Sequence, residues 1–118
     1  MDELYRILSG NTELQQCELD HAQAEQQFHT EILALQGAEQ LVLEQQIKIE
    51  QTEAALYGGK IRVPKELQDL NNELVALKRH LAVLEERQFD CMLKVEEAQS
   101  EVEATSKLLN EIKASWAE

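Results

Sequence analysis

Proline, glycine and aromatic residues are scarce in this chain, and each scarcity excludes something. One Pro and four Gly in 118 residues leave few points at which a helix must stop. Aromatic residues make up 4% of the sequence, too few for the core of a closed globular domain. No run of about 18 apolar residues occurs, so nothing is expected to span a membrane. The opening Met1-Asp2-Glu3-Leu4 is acidic and lacks an apolar core, so no signal peptide is read there and the expected compartment is the cytoplasm. Cysteine is limited to Cys17 and Cys91, with no C-x-x-C pair and no histidine at ligand spacing. A structural zinc site takes about four such ligands, so no zinc or other cofactor is expected in this chain.

What is abundant is Leu, Glu, Gln and Ala, the composition of long helices and coiled coils. At 13.5 kDa the chain is a single domain, and its buried surface is expected to be a seam. The formal net charge of −12 repels a phosphate backbone and disfavours nucleic acid as a partner.

One break divides the chain at its midpoint. Leu56-Tyr57-Gly58-Gly59-Lys60-Ile61-Arg62-Val63-Pro64 holds the only Gly-Gly pair and the only proline. Glycine frees the backbone from helical angles, and proline suits the first turn of a new helix. Equal arms on either side predict an all-α fold, two long antiparallel helices forming a coiled-coil hairpin with its turn at about residues 57–63. Arm one is expected over about 12–56 and arm two over about 64–116.

Steps of three and four along arm two give Leu67, Leu70, Leu74, Leu77, Leu81, Leu84, Gln88, Cys91, Val95, Ala98, Val102, Thr105, Leu109, Ile112 and Trp116. Thirteen of these fifteen are apolar, a sustained heptad seam. Pro64 opens this arm and Glu66 follows in the first turn, where an acid complements the helix dipole. No glycine or proline interrupts the rest, so a helix of about 50 residues, roughly 75 Å long, is expected.

Arm one is looser. Its seam runs Leu14, Cys17, His21, Ala24, Phe28, Glu31, Leu35, Ala38, Val42, Gln45, Ile49, Thr52 and Leu56, nine of thirteen apolar. Ile32, Leu33, Leu41, Leu43 and Ile47 widen the stripe, which predicts a second packing partner or a shifted register. Gly37 marks an expected bend, at a cost of about 1 kcal/mol relative to alanine. Ser9-Gly10-Asn11-Thr12 reads as a second break, with Thr12 and Gln15 spaced as a capping box, so residues 1–11 are expected as a short separate helix or a frayed tail.

Folding at Gly59 places residue i near residue 119 − i. Cys91 then faces Phe28, and its roughly 16 Å axial offset from Cys17 forbids a disulfide. The same rule sets His21 against Ala98, as a register-setting polar residue of the seam. His21, His29 and His80 have no nucleophile at a motif spacing, and Glu85-Glu86 and Glu96-Glu97 read as a solvated face. Gly58-Gly59-Lys60 lacks the rest of a phosphate loop. Trp116 is expected to pack near the open end of the hairpin or, if exposed there, to mark a docking site or the entry to another domain. No reading supports an enzyme.

Charge is unevenly spread. Residues 1–57 carry a net of −9, residues 58–80 a net of +2, and residues 81–118 a net of −5. The basic zone comprises Lys60, Arg62, Lys65, Lys78 and Arg79, beside the apolar Ile61 and Val63. Two readings follow: solvated helix-end chemistry, or a contact point for an acidic protein or RNA.

The run Gly58-Gly59-Lys60-Ile61-Arg62-Val63-Pro64-Lys65-Glu66-Leu67-Gln68-Asp69-Leu70, with Glu73-Leu74, Leu77-Lys78-Arg79 and Leu84-Glu85, resembles the tip signature of the bacterial C4-type zinc-ribbon family, formerly a domain of unknown function. The likeness is specific over about thirty residues. It implies a long helical hairpin followed by a small ribbon with two C-x-x-C pairs, and this chain stops where the ribbon would begin, so it reads as the hairpin portion or a short member. Relatives are linked to flagellar or type III secretion assembly, to an alternative sigma factor and to transcript binding. The positions matching the signature are Gly58, Gly59, Lys60, Arg62, Pro64, Lys65 and Glu66.

The expected function is a non-enzymatic interaction or scaffold module that presents its tip to a protein partner. The candidate contact set is Gly58, Gly59, Lys60, Ile61, Arg62, Pro64, Lys65 and Glu66. RNA binding through the same tip is one alternative. Another is a structural rod or homodimer that buries the wide stripe of arm one. A parallel dimer of unfolded hairpins would strand Gly58-Gly59 inside a rod.

Overall fold

A computed structural model describes residues 2–117, with side chains left out at residues 2, 5–9, 116 and 117. It contains two helices, α1 (Asp2–Tyr57) and α2 (Pro64–Ala117), and no strand among the described residues. The fold is the antiparallel coiled-coil hairpin that the seams predict. The side-chain position expected of Trp116 lies outside the described residues.

The break expected at Ser9–Thr12 does not occur. Helix α1 runs through Ser9, Gly10, Asn11 and Thr12 without interruption. Hydrogen bonds made along a continuing helix compensate a single internal glycine, which costs only about 1 kcal/mol relative to alanine. Helix α1 also continues through Gly37.

Both seams are where the spacing puts them. Every described seam position from Leu14 to Leu56 on α1, and from Leu67 to Ile112 on α2, is buried or half-buried. Cys17, Ala24, Val42 and Ile49 on α1, with Leu74, Leu84, Ala98 and Leu109 on α2, form the buried apolar set. Two helices enclose a seam only in part: the most enclosed described side chains, Leu74 and Gln45, keep 4% of their surface exposed. Off the seam, Leu33, Leu41, Leu43 and Ile47 are exposed and Ile32 is half-buried, so most of the wide stripe of α1 is not covered by α2.

The solvent faces are held by local side-chain bonds more than by ion pairs. Amide-to-acceptor bonds at i, i+4 join Gln16 to Asp20, Gln27 to Glu31, Gln40 to Glu44, Gln68 to Asn72 and Gln99 to Glu103. Such pairs contribute about 0.2–0.5 kcal/mol each to a helix. With acids outnumbering bases, glutamine supplies the donors that lysine would otherwise provide.

The chain divides into two compact units, Ala34–Met92 and Met1–Leu33 with Leu93–Glu118. In the first, which contains the turn, the Gln45 amide donates to the Leu77 carbonyl at 2.9 Å and Lys78 pairs with Glu53 at 3.5 Å. In the second, His21 bonds Thr105 at 3.0 Å. The expected partner of His21 was Ala98, so the pairing differs by one heptad. The turn is not a point at Gly59, because six residues lie between Tyr57 and Pro64, and helical side chains lean toward their own N-terminus, carrying His21 further along α2.

Cys17 is buried and Cys91 half-buried, and both are free thiols. Burial pushes the Cys17 thiol above its ordinary pKa, and the nearby Glu13 and Asp20 carboxylates add to the shift.

Candidate functional site

The turn unit places the predicted site residues around one helix end and one helix start. Helix α1 stops at Tyr57. A Cβ at Gly58 would lie 2.5 Å from the Ala54 carbonyl oxygen, so only glycine fits the close return of the chain over the last turn. Gly59 takes φ of +74°, the left-handed conformation that ends a helix after its cap. Residues 61–63 are non-helical. The Val63 carbonyl then accepts the Leu67 N–H at 3.1 Å, which makes Val63 the N-cap, Pro64 the first helical residue and Glu66 the third. Valine has no side-chain acceptor, so the dipole of α2 is met by the Glu66 carboxylate instead.

Two groups emerge from the eight predicted residues. Gly58, Lys60 and Ile61 line one depression of about 370 Å³, with Ala54 and Ala55 of α1 as its remaining walls. Gly59, Arg62, Pro64, Lys65 and Glu66 are exposed but lie outside it. Ile61, expected as an exposed contact, is half-buried, whereas Val63 is exposed. Its partial burial follows from packing into the wall of that depression.

The sequence reading missed Ala54, Ala55 and Tyr57. Two alanines one turn before a Gly-Gly pair are the signal for a shallow wall, since no larger side chain fills the space. Tyr57 is 77% exposed, a large aromatic surface at the helix end.

Electrostatically the tip differs from the rest of the chain. The difference lies in charge count, residues 58–80 carrying a net of +2 in an acidic chain. Among the described residues Lys78 is the one lysine or arginine in an ion pair, with Glu53, and Lys60, Arg62 and Lys65 are unpaired like the other cations. That exposed pair contributes little to stability. The tip therefore keeps three free cations beside Tyr57 and Val63. Among the described residues, no group of three or more His, Cys, Asp or Glu side chains is placed to hold a metal ion. No described helix is long and apolar enough to cross a membrane.

An α-helical hairpin with a thin seam and a glycine-built turn is the class these features define. The chain belongs to the CT398-like coiled coil hairpin domain family, which matches residues 1–118. No curated protein and no solved structure matches the chain. A coiled-coil hairpin is a structural or interaction module, and the fold is typically non-catalytic.

Proposed function

We propose that this chain is a non-enzymatic interaction module whose tip engages an acidic surface of a protein partner in the cytoplasm. One observation carries the reading: three exposed cations, Lys60, Arg62 and Lys65, cluster at the turn of a chain of net charge −12. Exposed Tyr57 and Val63 supply the apolar and aromatic contact that a binding hot spot needs. The resemblance of Gly58 to Leu70 to the zinc-ribbon signature supports a bacterial partner of the secretion, flagellar or transcription-factor kind.

A pull-down that compares the native chain with the Lys60→Glu/Arg62→Glu double variant tests the reading. Partner recovery is expected to fall by an order of magnitude or more. Unchanged recovery removes the tip as the contact. An electrophoretic shift with RNA at low salt separates the competing partner class. Three phosphate contacts predict a salt slope of only about −2 on a single strand.

A self-paired rod is the second reading, supported by the exposed Leu41 and Ile47 of α1. Sedimentation equilibrium decides it, since a strict monomer leaves those side chains without that use.

A further inference from the structure

In the turn unit, a groove of about 590 Å³ runs between α1 and α2 on one side of the seam. Its apolar lining is Val42, Leu43, Phe89 and Met92, and Glu39, Glu85, Gln46 and Gln88 line it as well. Leu43, Phe89 and Met92 are 54%, 57% and 43% exposed. None of the three is a seam residue, so α1 and α2 do not need them to hold each other. Among the described residues, neither Glu39 nor Glu85 makes an ion pair or a side-chain hydrogen bond. The groove therefore offers apolar anchoring surface and uncompensated negative charge in one place.

We infer that this groove seats a basic amphipathic helix from a partner protein, completing a three-helix arrangement in the turn unit. Two antiparallel helices leave a continuous furrow, and a third helix fills such a furrow with apolar side chains at i, i+3 or i+4, and i+7. Phe89 and Met92, three apart on α2, face it together with Leu43 of α1. Charge selects the occupant. Lysine or arginine flanking the apolar stripe of the incoming helix meets Glu39 and Glu85, whereas a second copy of this chain would set the same two carboxylates against a body of net charge −12. The groove is separate from the tip residues Lys60, Arg62 and Lys65, so the two surfaces stand or fall independently.

The test uses the full chain and a fluorescein-labelled synthetic helix of about 18 residues, with leucines at helical spacing and lysines on both flanks. A matched peptide carries glutamate in place of every lysine. Fluorescence anisotropy is expected to show the lysine peptide binding at least about tenfold more tightly than the glutamate peptide. Leu43→Ser/Phe89→Ser is expected to weaken the lysine peptide by about tenfold or more, since apolar anchors carry most of such an interface. Lys60→Glu/Arg62→Glu is expected to leave it unchanged. Should the serine variant lose helicity by circular dichroism, Glu39→Lys/Glu85→Lys decides, because it alters only exposed charge and is expected to reverse the peptide preference. Equal affinity for the two peptides, no binding of either, or indifference to both groove variants overturns the inference. So does a dimer in sedimentation that the serine variant dissolves, which would mean that a second copy covers the groove.

Discussion

The imidazole of His21 on α1 lies between two oxygens, Thr105 Oγ1 of α2 at 3.0 Å and the Glu25 carboxylate at 2.7 Å. The Thr105 hydroxyl also reaches the carbonyls of Glu101 and Val102, at 2.9 and 3.0 Å. With Nε2–H donated to Glu25, Nδ1 accepts the Thr105 hydroxyl hydrogen. The half-buried ring is thus bonded at both nitrogens, and the pair acts as a register pin between α1 and α2.

A double-mutant cycle on His21→Ala and Thr105→Val measures that pin. Thr105→Val keeps the side-chain shape and removes the hydroxyl. A coupling of about 0.5–1.5 kcal/mol is expected from urea melts. No coupling would mean that the contact does not set register.

Three glycines predict three different responses to alanine. Gly37 has nothing within 4 Å of an added Cβ and lies inside α1, so Gly37→Ala is expected to stabilise the chain by about 1 kcal/mol. At Gly59, φ of +74° places alanine in the left-handed region, at a cost of about 1–2 kcal/mol. Gly58→Ala pushes a methyl group against the rigid Ala54 carbonyl, so it is expected to cost at least as much. Thermal melts that rank Gly37→Ala below the native chain would contradict this account.

Much of this fold is legible in the sequence because heptad spacing and helix-stopping residues act locally. Leu67 to Ile112 fall inward because their three-and-four steps follow the helical period. Gly59 and Pro64 bound the turn because their backbone restrictions hold in any context. Ser9-Gly10-Asn11-Thr12 misleads for the complementary reason: capping chemistry offers an alternative that a continuing helix can decline. The partner of His21 depends on how many residues the turn consumes and which way the ring leans, and neither is written in a periodic pattern. At the site, the charge map identifies Lys60, Arg62 and Lys65, yet the wall of Ala54 and Ala55 emerges only once the chain returns over α1. Phe89 and Met92 were invisible as a pair with Leu43, since their meeting depends on the register across the seam.

Cys17 offers a probe of the seam through its chemistry. Burial, with help from Glu13 and Asp20, raises the folded thiol pKa above its ordinary 9.0. A folded value above the unfolded one means that the neutral thiol favours folding. That contribution is whole below pH 9.0 and fades as pH rises through the folded value. In a Cys91→Ser background, iodoacetamide is expected to modify Cys17 more slowly in the folded chain than in urea, with its rate rising at a higher pH. Identical pH profiles in the two states would show that the thiol is not shielded.

Gln45 is the clearest case of a polar group placed where an apolar one would pack. It is buried in the seam of the turn unit and donates to the Leu77 carbonyl. That carbonyl lies inside α2 and has a helical N–H of its own, so removing the amide orphans nothing. Gln45→Leu is therefore expected to raise the melting temperature by a few degrees, about 1 kcal/mol for a chain of this size. Gln45→Ala, which leaves a void, is expected to lower it. A buried polar seam residue also fixes register and strand number at a cost in stability. Gln45→Leu should thus broaden the species seen in sedimentation velocity even as it melts higher. A leucine variant that melts lower than the native chain would show instead that the Gln45–Leu77 bond contributes more than the apolar packing it displaces.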